Sequence, residues 1–209
     1  TSMAVLVHEA THALQDQHFG LGKMDTSKTL FSDQYLATSA LIEGDALWVE
    51  KKFRSQSPES AGYEPTVDDK IELKEKRCKV PDTLEQLFYF EYEFGYEFVE
   101  RLRKNGGNGA LDRSFRSPPK RTREILHVKD PGPSATSHLG EFIVRTLLLY
   151  WSDPKTAVRG SAGLLGDEIQ LVGDVVTWNT KWEREEDTVE FLVAFTKRFG
   201  LRADPRSRW

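Results

Sequence analysis

The chain has 209 residues, 38% of them hydrophobic and 30% charged, with a formal net charge of −4. That length supplies one sizeable core, and the slightly acidic balance removes any general electrostatic case for binding nucleic acid. A lone cysteine, Cys78, excludes an internal disulfide and a cysteine-rich zinc cluster; no apolar run reaches membrane-spanning length, and no stretch has the pattern of a signal peptide.

Met3 to Leu14 is almost wholly apolar, with Thr1 and Ser2 available as caps and no proline or glycine before Gly20, and it predicts a helix. Asp16–Lys28 reads as loop. A second helix is expected from Ser32, a good cap, to about Phe53, its long apolar centre interrupted only by Glu43-Gly44-Asp45. Ser55–Thr66 reads as a surface loop and Val67–Lys79 as a charged helix ending before Pro81. From Asp82-Thr83 onward, Leu84, Leu87, Tyr92, Gly95, Val99 and Leu102 follow helical spacing, although Phe90, Tyr92, Phe94, Tyr96 and Phe98 also alternate as a strand would. Length and the stop at Gly106-Gly107 favour helix, with a break near Phe90 as the alternative. A short helix at 109–115, a helical turn ending at His127 and a loop through Pro131 and Pro133 follow. The basic run Arg113–Arg123, broken by Pro118-Pro119, reads as a solvated loop. Ser137–Trp151 and Pro154–Gly160 are expected helices, Glu168–Val172 and Val175–Trp182 a hairpin around Gly173-Asp174, and Asp187–Arg198 a last helix capped by Asp187. The fold class is therefore α+β: a mostly helical single domain over residues 1–209, two lobes around a cleft, with a small antiparallel sheet.

The chemistry lies in the first helix. His8-Glu9-Ala10-Thr11-His12 is an H-E-x-x-H motif, and residues four apart on a helix stand one above the other, so both imidazoles can face one metal ion. Glu9, about 100° around the helix from His8, falls beside the metal, where a carboxylate can take a proton from a bound water. The plainer reading of the same residues is a partly exposed helix whose histidines form local hydrogen bonds. A catalytic zinc has three protein ligands and an open position. His18 stands six residues after His12, the spacing of the extended metzincin motif, but Gln15 occupies the place of the required glycine. Without a helix break there, His18 lies about 15 Å along the helix from His8. Glu43 is the better third ligand: it sits in an apolar stretch where an unpaired carboxylate is costly, beside Ser39, Ala40 and Gly44, small residues that let the second helix approach the first. This is the gluzincin arrangement. A buried ion pair with an arginine is the plainer alternative for Glu43. Asp45 is expected to point away from the metal, as an acceptor behind a histidine or as a packing hydrogen bond.

Leu6 to Phe19, with His8-Glu9-Ala10-Thr11-His12-Ala13-Leu14-Gln15-Asp16-Gln17, resembles the active-site helix of a poorly characterised, gluzincin-like group of bacterial and archaeal zinc metallopeptidases, and Glu43-Gly44-Asp45-Ala46 is similar to their glutamate-glycine motif. Phe94–Val99, Gly106-Gly107, Pro118-Pro119 with Ile125-Leu126-His127, and the hairpin from Gly166-Asp167 to Trp178 and Trp182 are also similar. Three departures bear on the substrate cleft: Val128 where a proline is usual, Lys120 and Arg121 where a small hydroxyl is expected, and Leu164-Leu165 where a tryptophan and a glycine are expected.

The resemblance implies a zinc peptidase acting on a peptide or protein. Zn2+ is held by His8, His12 and Glu43, Glu9 is the general base, and His127 is the second donor to the developing oxyanion. Tyr92 and Tyr96 are weaker candidates for that donor, and Glu141 and Arg145 read as a structural ion pair. Zincins present substrate along an edge strand ahead of this helix; here either an upstream segment or the 168–182 hairpin is expected to supply it. The alternatives are a catalytically inactive, zinc-stabilised binding domain, against which the intact Glu9 argues, and a helical interaction module carrying the motif by chance, which metal analysis distinguishes. Compartment, oligomeric state and specificity are left open by the sequence.

Overall fold

The computed structural model describes residues 3–24, 32–57, 82–127 and 136–199. The expected helix at 67–79, most of the loop before it, Cys78, Val128 and the loop through Pro131 and Pro133 lie outside the described residues. Within them the fold is mostly helical with one two-stranded antiparallel sheet, an α+β arrangement. No helix among the described residues is long and apolar enough to cross a membrane.

The chain divides into two compact units, Thr1–Thr26 with Thr38–Pro119, and Ser27–Ala37 with Lys120–Trp209. In the first unit, α1 spans Met3–Phe19. It runs past the expected end at Leu14 because no residue before Gly20 interrupts it; the Gly20 amide then closes it on Asp16 O at 2.8 Å. α2 spans Asp33–Gln56, and Ser32 caps it by accepting the Tyr35 N–H at 3.2 Å, as its sequence suggests.

α3 spans Asp82–Arg116. The alternating aromatics from Phe90 to Phe98 are helical throughout and there is no break at Phe90. The interruption falls at Gly106-Gly107, where Gly107 adopts φ 60°, a left-handed conformation that costs a residue with a Cβ. Phe90, Phe98 and Val99 are buried and Phe115 stacks on Phe19, ring centroids 4.6 Å apart.

Ala40 and Gly44 of α2 receive α3, a contact the sequence reading did not anticipate. A Cβ placed on Gly44 would overlap the Gly95 backbone, and one on Gly95 would overlap Ala40 O. Backbone meets backbone at this crossing, and no side chain fits between.

In the second unit, α4 (Thr122–Leu126), α5 (Gly140–Leu149), α6 (Pro154–Ser161), β1 (Leu164–Val172), β2 (Val175–Trp182) and α7 (Glu185–Phe199) follow in order. β1 begins four residues before its predicted start and pairs with β2 in the register Asp167↔Thr180, Ile169↔Trp178, Val172↔Val175. Val144, Leu148, Ala157, Leu164, Phe191 and Ala194 form the buried core, with Trp178 and Trp182 packed against it. α5 starts later than the expected Ser137 because the preceding amides are already used. Asp167 accepts hydrogen bonds from the backbone N–H groups of His138, Leu139 and Gly140 and from the Trp178 indole, all at 3.0 Å, so a carboxylate from β1 does the work of a helix cap. Asp187 lies inside the first turn of α7, not ahead of it; it reaches back to the Arg184 N–H at 3.1 Å, as the acidic half of a capping box does.

The basic run is not a solvated loop at its end. Arg121 and Arg123 are buried: Arg121 donates to Glu124 and to Leu165 O, while Arg123 bridges Glu141 at 3.0 Å and Glu183 at 2.6 Å. Glu141, expected to pair with Arg145, is thereby engaged by Arg123 and His127.

Two predictions follow from these contacts. Gly95→Ala puts a methyl against Ala40 O and lowers stability by about 1–3 kcal/mol; an unchanged urea midpoint would contradict the close crossing. Asp33, buried and accepting from the Thr122 N–H and hydroxyl, has its carboxyl pushed up to about 6, chiefly by burial. The folded state therefore holds a proton that the unfolded chain releases near pH 4, and stability falls as pH rises from about 4 to about 6, by up to about 3 kcal/mol. In Asp33→Asn that decline is removed, read as the difference between urea midpoints at pH 4.5 and 7; an equal decline in both proteins would refute the assignment.

Candidate metal centre

The first unit brings together the three residues singled out as ligands. Four-residue spacing on α1 stacks His8 and His12, and Glu43 approaches them from α2. His8 Nε2 lies 3.1 Å from His12 Nε2 and 3.3 Å from Glu43 Oε2, and His12 Nε2 is 3.5 Å from the same oxygen. A tetrahedral zinc with bonds of about 2.0–2.2 Å separates its ligand atoms by roughly 3.3–3.5 Å. The two edges to Glu43 fall in that range, and the edge between the two imidazoles, at 3.1 Å, is slightly shorter.

The hydrogen bonds behind the imidazoles decide which nitrogen carries the proton. His8 Nδ1 faces Glu50 Oε2 at 3.1 Å, and Glu50 is itself held by Arg54 at 2.9 Å. A paired carboxylate only accepts, so Nδ1 of His8 is the donor and Nε2 keeps its lone pair. His12 Nδ1 faces Gln15 Oε1 at 2.9 Å. Gln15 Nε2 donates to Ile42 O and to Asp45 Oδ2, and Asp45 is anchored by Arg103 at 2.8 Å. The amide oxygen is thus turned toward His12, whose Nε2 is also left as an acceptor. With the rings so oriented, both Nε2 atoms and a carboxylate oxygen converge on one point, where a shared proton or a metal ion can sit.

The acid–base balance of the protein alone agrees. His12 is held above the usual histidine range by its hydrogen bond to Glu43, against burial and with help from Gln15. Burial pushes the Glu43 carboxyl up, and His12 and His8 outweigh it, so it ends below the usual carboxylate range. A proton shared in the triangle has this effect, and a divalent ion competes for the same place. The side chains of His8, His12 and Glu43 are 12%, 22% and 23% exposed. A fourth ligand can therefore arrive from solvent, as a catalytic site requires and a closed structural site does not.

Glu9 is exposed on α1 beside this triangle and makes no hydrogen bond among the described residues; its charge is felt at His12. His18 is exposed in the last turn of the uninterrupted α1, outside the triangle. Asp45 stands one residue behind His12, through Gln15. Tyr92 is exposed, and Tyr96 donates to Glu100 beneath Lys51, whose ammonium lies 3.8 Å from the ring centroid. His127 belongs to the second unit, where its Nε2 is 2.8 Å from Glu141 Oε1.

Gln15, Glu50, Arg54 and Arg103 have roles the sequence reading missed. Glu50 was within reach of it: seven residues beyond Glu43, it lies two turns along the same face of α2. Burial and the charge of Glu43 push a further acid, Glu91 on α3, up to about 7.

The chain matches no protein-family model, no curated protein and no solved structure. The metallopeptidase resemblance therefore stands on its motifs.

If Glu50 fixes the His8 tautomer, Glu50→Gln weakens zinc binding about 10–100-fold, measured by competition with a chelating dye, while the helical circular dichroism is unchanged. Wild-type affinity in the variant would remove Glu50 from the site.

Proposed function

We propose that this chain is a zinc-dependent peptidase, hydrolysing peptide bonds in peptide or protein substrates, with His8, His12 and Glu43 as metal ligands and Glu9 as general base. One observation carries the reading: two histidine ring nitrogens and a carboxylate oxygen converge within 3.1 to 3.5 Å of one another, next to an exposed glutamate. Two imidazoles and a carboxylate are a donor set that zinc accepts readily. Zinc held there supplies Lewis acidity, which brings the pKa of a coordinated water to about 7 and polarises a substrate carbonyl.

The remaining chemistry belongs to the chain. Glu50 and Gln15 hold both imidazole Nε2 atoms aimed at one point, so the rings need no reorientation when a metal arrives. Glu9, without a hydrogen-bond partner among the described residues, is free to accept a proton from the attacking water and return it to the leaving amine. A binding-only zinc domain would have no use for a carboxylate at that position.

The test separates metal binding from turnover. Glu9→Gln keeps one equivalent of zinc and loses about 10²–10⁴-fold in hydrolysis of casein or a fluorogenic peptide. A wild-type protein that holds stoichiometric zinc and cleaves neither substrate would overturn the peptidase reading.

A further inference from the structure

The hairpin of the second unit ends in bare aliphatic surface. Leu171, Val172, Val175 and Val176 are 64–70% exposed, and they form two adjacent cross-strand pairs, Leu171↔Val176 and Val172↔Val175. Single exposed aliphatics are ordinary, whereas four in one place mark a contact surface. Successive pairs of a hairpin point to opposite faces, so both faces of the tip are apolar. Toward the base the same strands are covered: Trp178 packs against Phe191 and Phe195 of α7, with ring centroids 5.5 and 6.1 Å away. A helix laid on one face of the tip would leave the other face bare. A strand added at its edge extends both faces at once.

The outer edge of β2 is open to such a strand. β1 and β2 are the whole sheet among the described residues. On β1 the outward amides of Asp167 and Ile169 are already bound, to Thr136 O and His138 Nδ1, both at 3.0 Å. These two residues stand opposite Thr180 and Trp178. In an antiparallel ladder, opposite residues turn their amides inward together or outward together. The amides of Val176, Trp178 and Thr180 therefore point away from β1, along an edge with no strand beside it among the described residues. Val175–Thr180 contains no charge and no proline, the residues that keep an edge from pairing. The register shift of the ladder lies at its far end, between Leu164 and Gly166.

We propose that this edge pairs with the same edge of a second copy, β2 against β2 in antiparallel sense, giving a four-stranded sheet about a two-fold axis. A strand paired with its own copy in this way is self-complementary. Centred on Trp178, the pairing sets Val176 opposite Thr180, and Val175 opposite Lys181, of the other copy. Asp174, in the turn, then stands beside the other copy's Lys181, and the axis makes that contact twice. A parallel pairing would instead put Lys181 beside Lys181, so charge selects the antiparallel sense. Eight residues of strand span about 27 Å. Pairing them with both tips covered removes on the order of 1,000 Å² in all, the size of a weak, reversible complex. The surface lies wholly in the second unit and involves none of the metal residues.

Sedimentation equilibrium of the full chain over a concentration series tests the pairing. The wild type passes from monomer to dimer with a midpoint on the order of 10–100 μM and goes no further. Asp174→Lys and Lys181→Asp each weaken the dimer about tenfold, and the two together restore it. Val176→Pro removes an outward amide and leaves the ladder to β1 its donors, so it abolishes the dimer with circular dichroism unchanged. Where that proline disturbs the hairpin, the charge reversals decide by themselves. A wild type that is monomeric at every concentration overturns the second copy as the occupant of this edge. Association that grows beyond two chains, or that is indifferent to the single and double charge reversals, overturns the two-fold pairing.

Discussion

Three electron pairs that repel one another are held at the corners of a triangle by groups that cannot turn away. His8 is fixed by Glu50, His12 by Gln15, and Glu43 by the α2 backbone that carries it past α1. Any one of these groups in isolation would rotate to find a donor. A shared proton or a bound cation relieves that repulsion, and hydrogen bonds from the rest of the first unit keep the three groups converged. Both histidines are supported by side chains anchored in turn by arginines, Arg54 behind Glu50 and Arg103 behind Asp45. A carboxylate stands behind His8 and an amide behind His12, so the two rings are oriented by different groups.

The packing around the triangle has the same purpose. Contact between α2 and α3 is made by glycine and alanine, so the helices meet at the backbone and their relative height is fixed without a side chain between them. That contact is immediately beside Glu43. Arg103 stacks its guanidinium over Trp48, 3.9 Å from the ring centroid, while it holds Asp45, which ties α3 to α2 by charge and by aromatic contact together. The second unit uses buried charge differently. Asp167 collects the amides that open α5, and Arg123 joins Glu141 and Glu183, so these ionised groups are saturated by partners and hold loops in place.

What could be read from the sequence follows from the range of each interaction. The stacking of the two histidines was legible because a spacing of four is one helical turn, and the approach of Glu43 because an acid inside an apolar run asks for a partner. Gln15 was read only as a missing glycine; its part in orienting His12 depends on Asp45 and Arg103, which lie 30 and 58 residues apart from their respective partners. Glu91 was hidden by the alternation of aromatics and acids from Phe90 to Phe98, which fits a strand as well as a helix until tertiary contacts choose. Arg121 and Arg123 were misread as solvated because the acids and carbonyl that bury them come from Glu141, Leu165 and Glu183, far along the chain. The hairpin was legible from its turn, and the late start of α5 was not, since the carboxylate that caps it belongs to a strand that follows it.

The central claim is that the triangle is a zinc site, and X-ray absorption at the zinc edge of the metal-loaded protein tests it most directly. The account predicts one bound zinc with two imidazole nitrogens at about 2.0–2.1 Å and oxygen ligands at about 2.0–2.2 Å, and loss of an oxygen ligand in Glu43→Ala. A spectrum without imidazole scattering, or one that Glu43→Ala leaves unchanged, would contradict it.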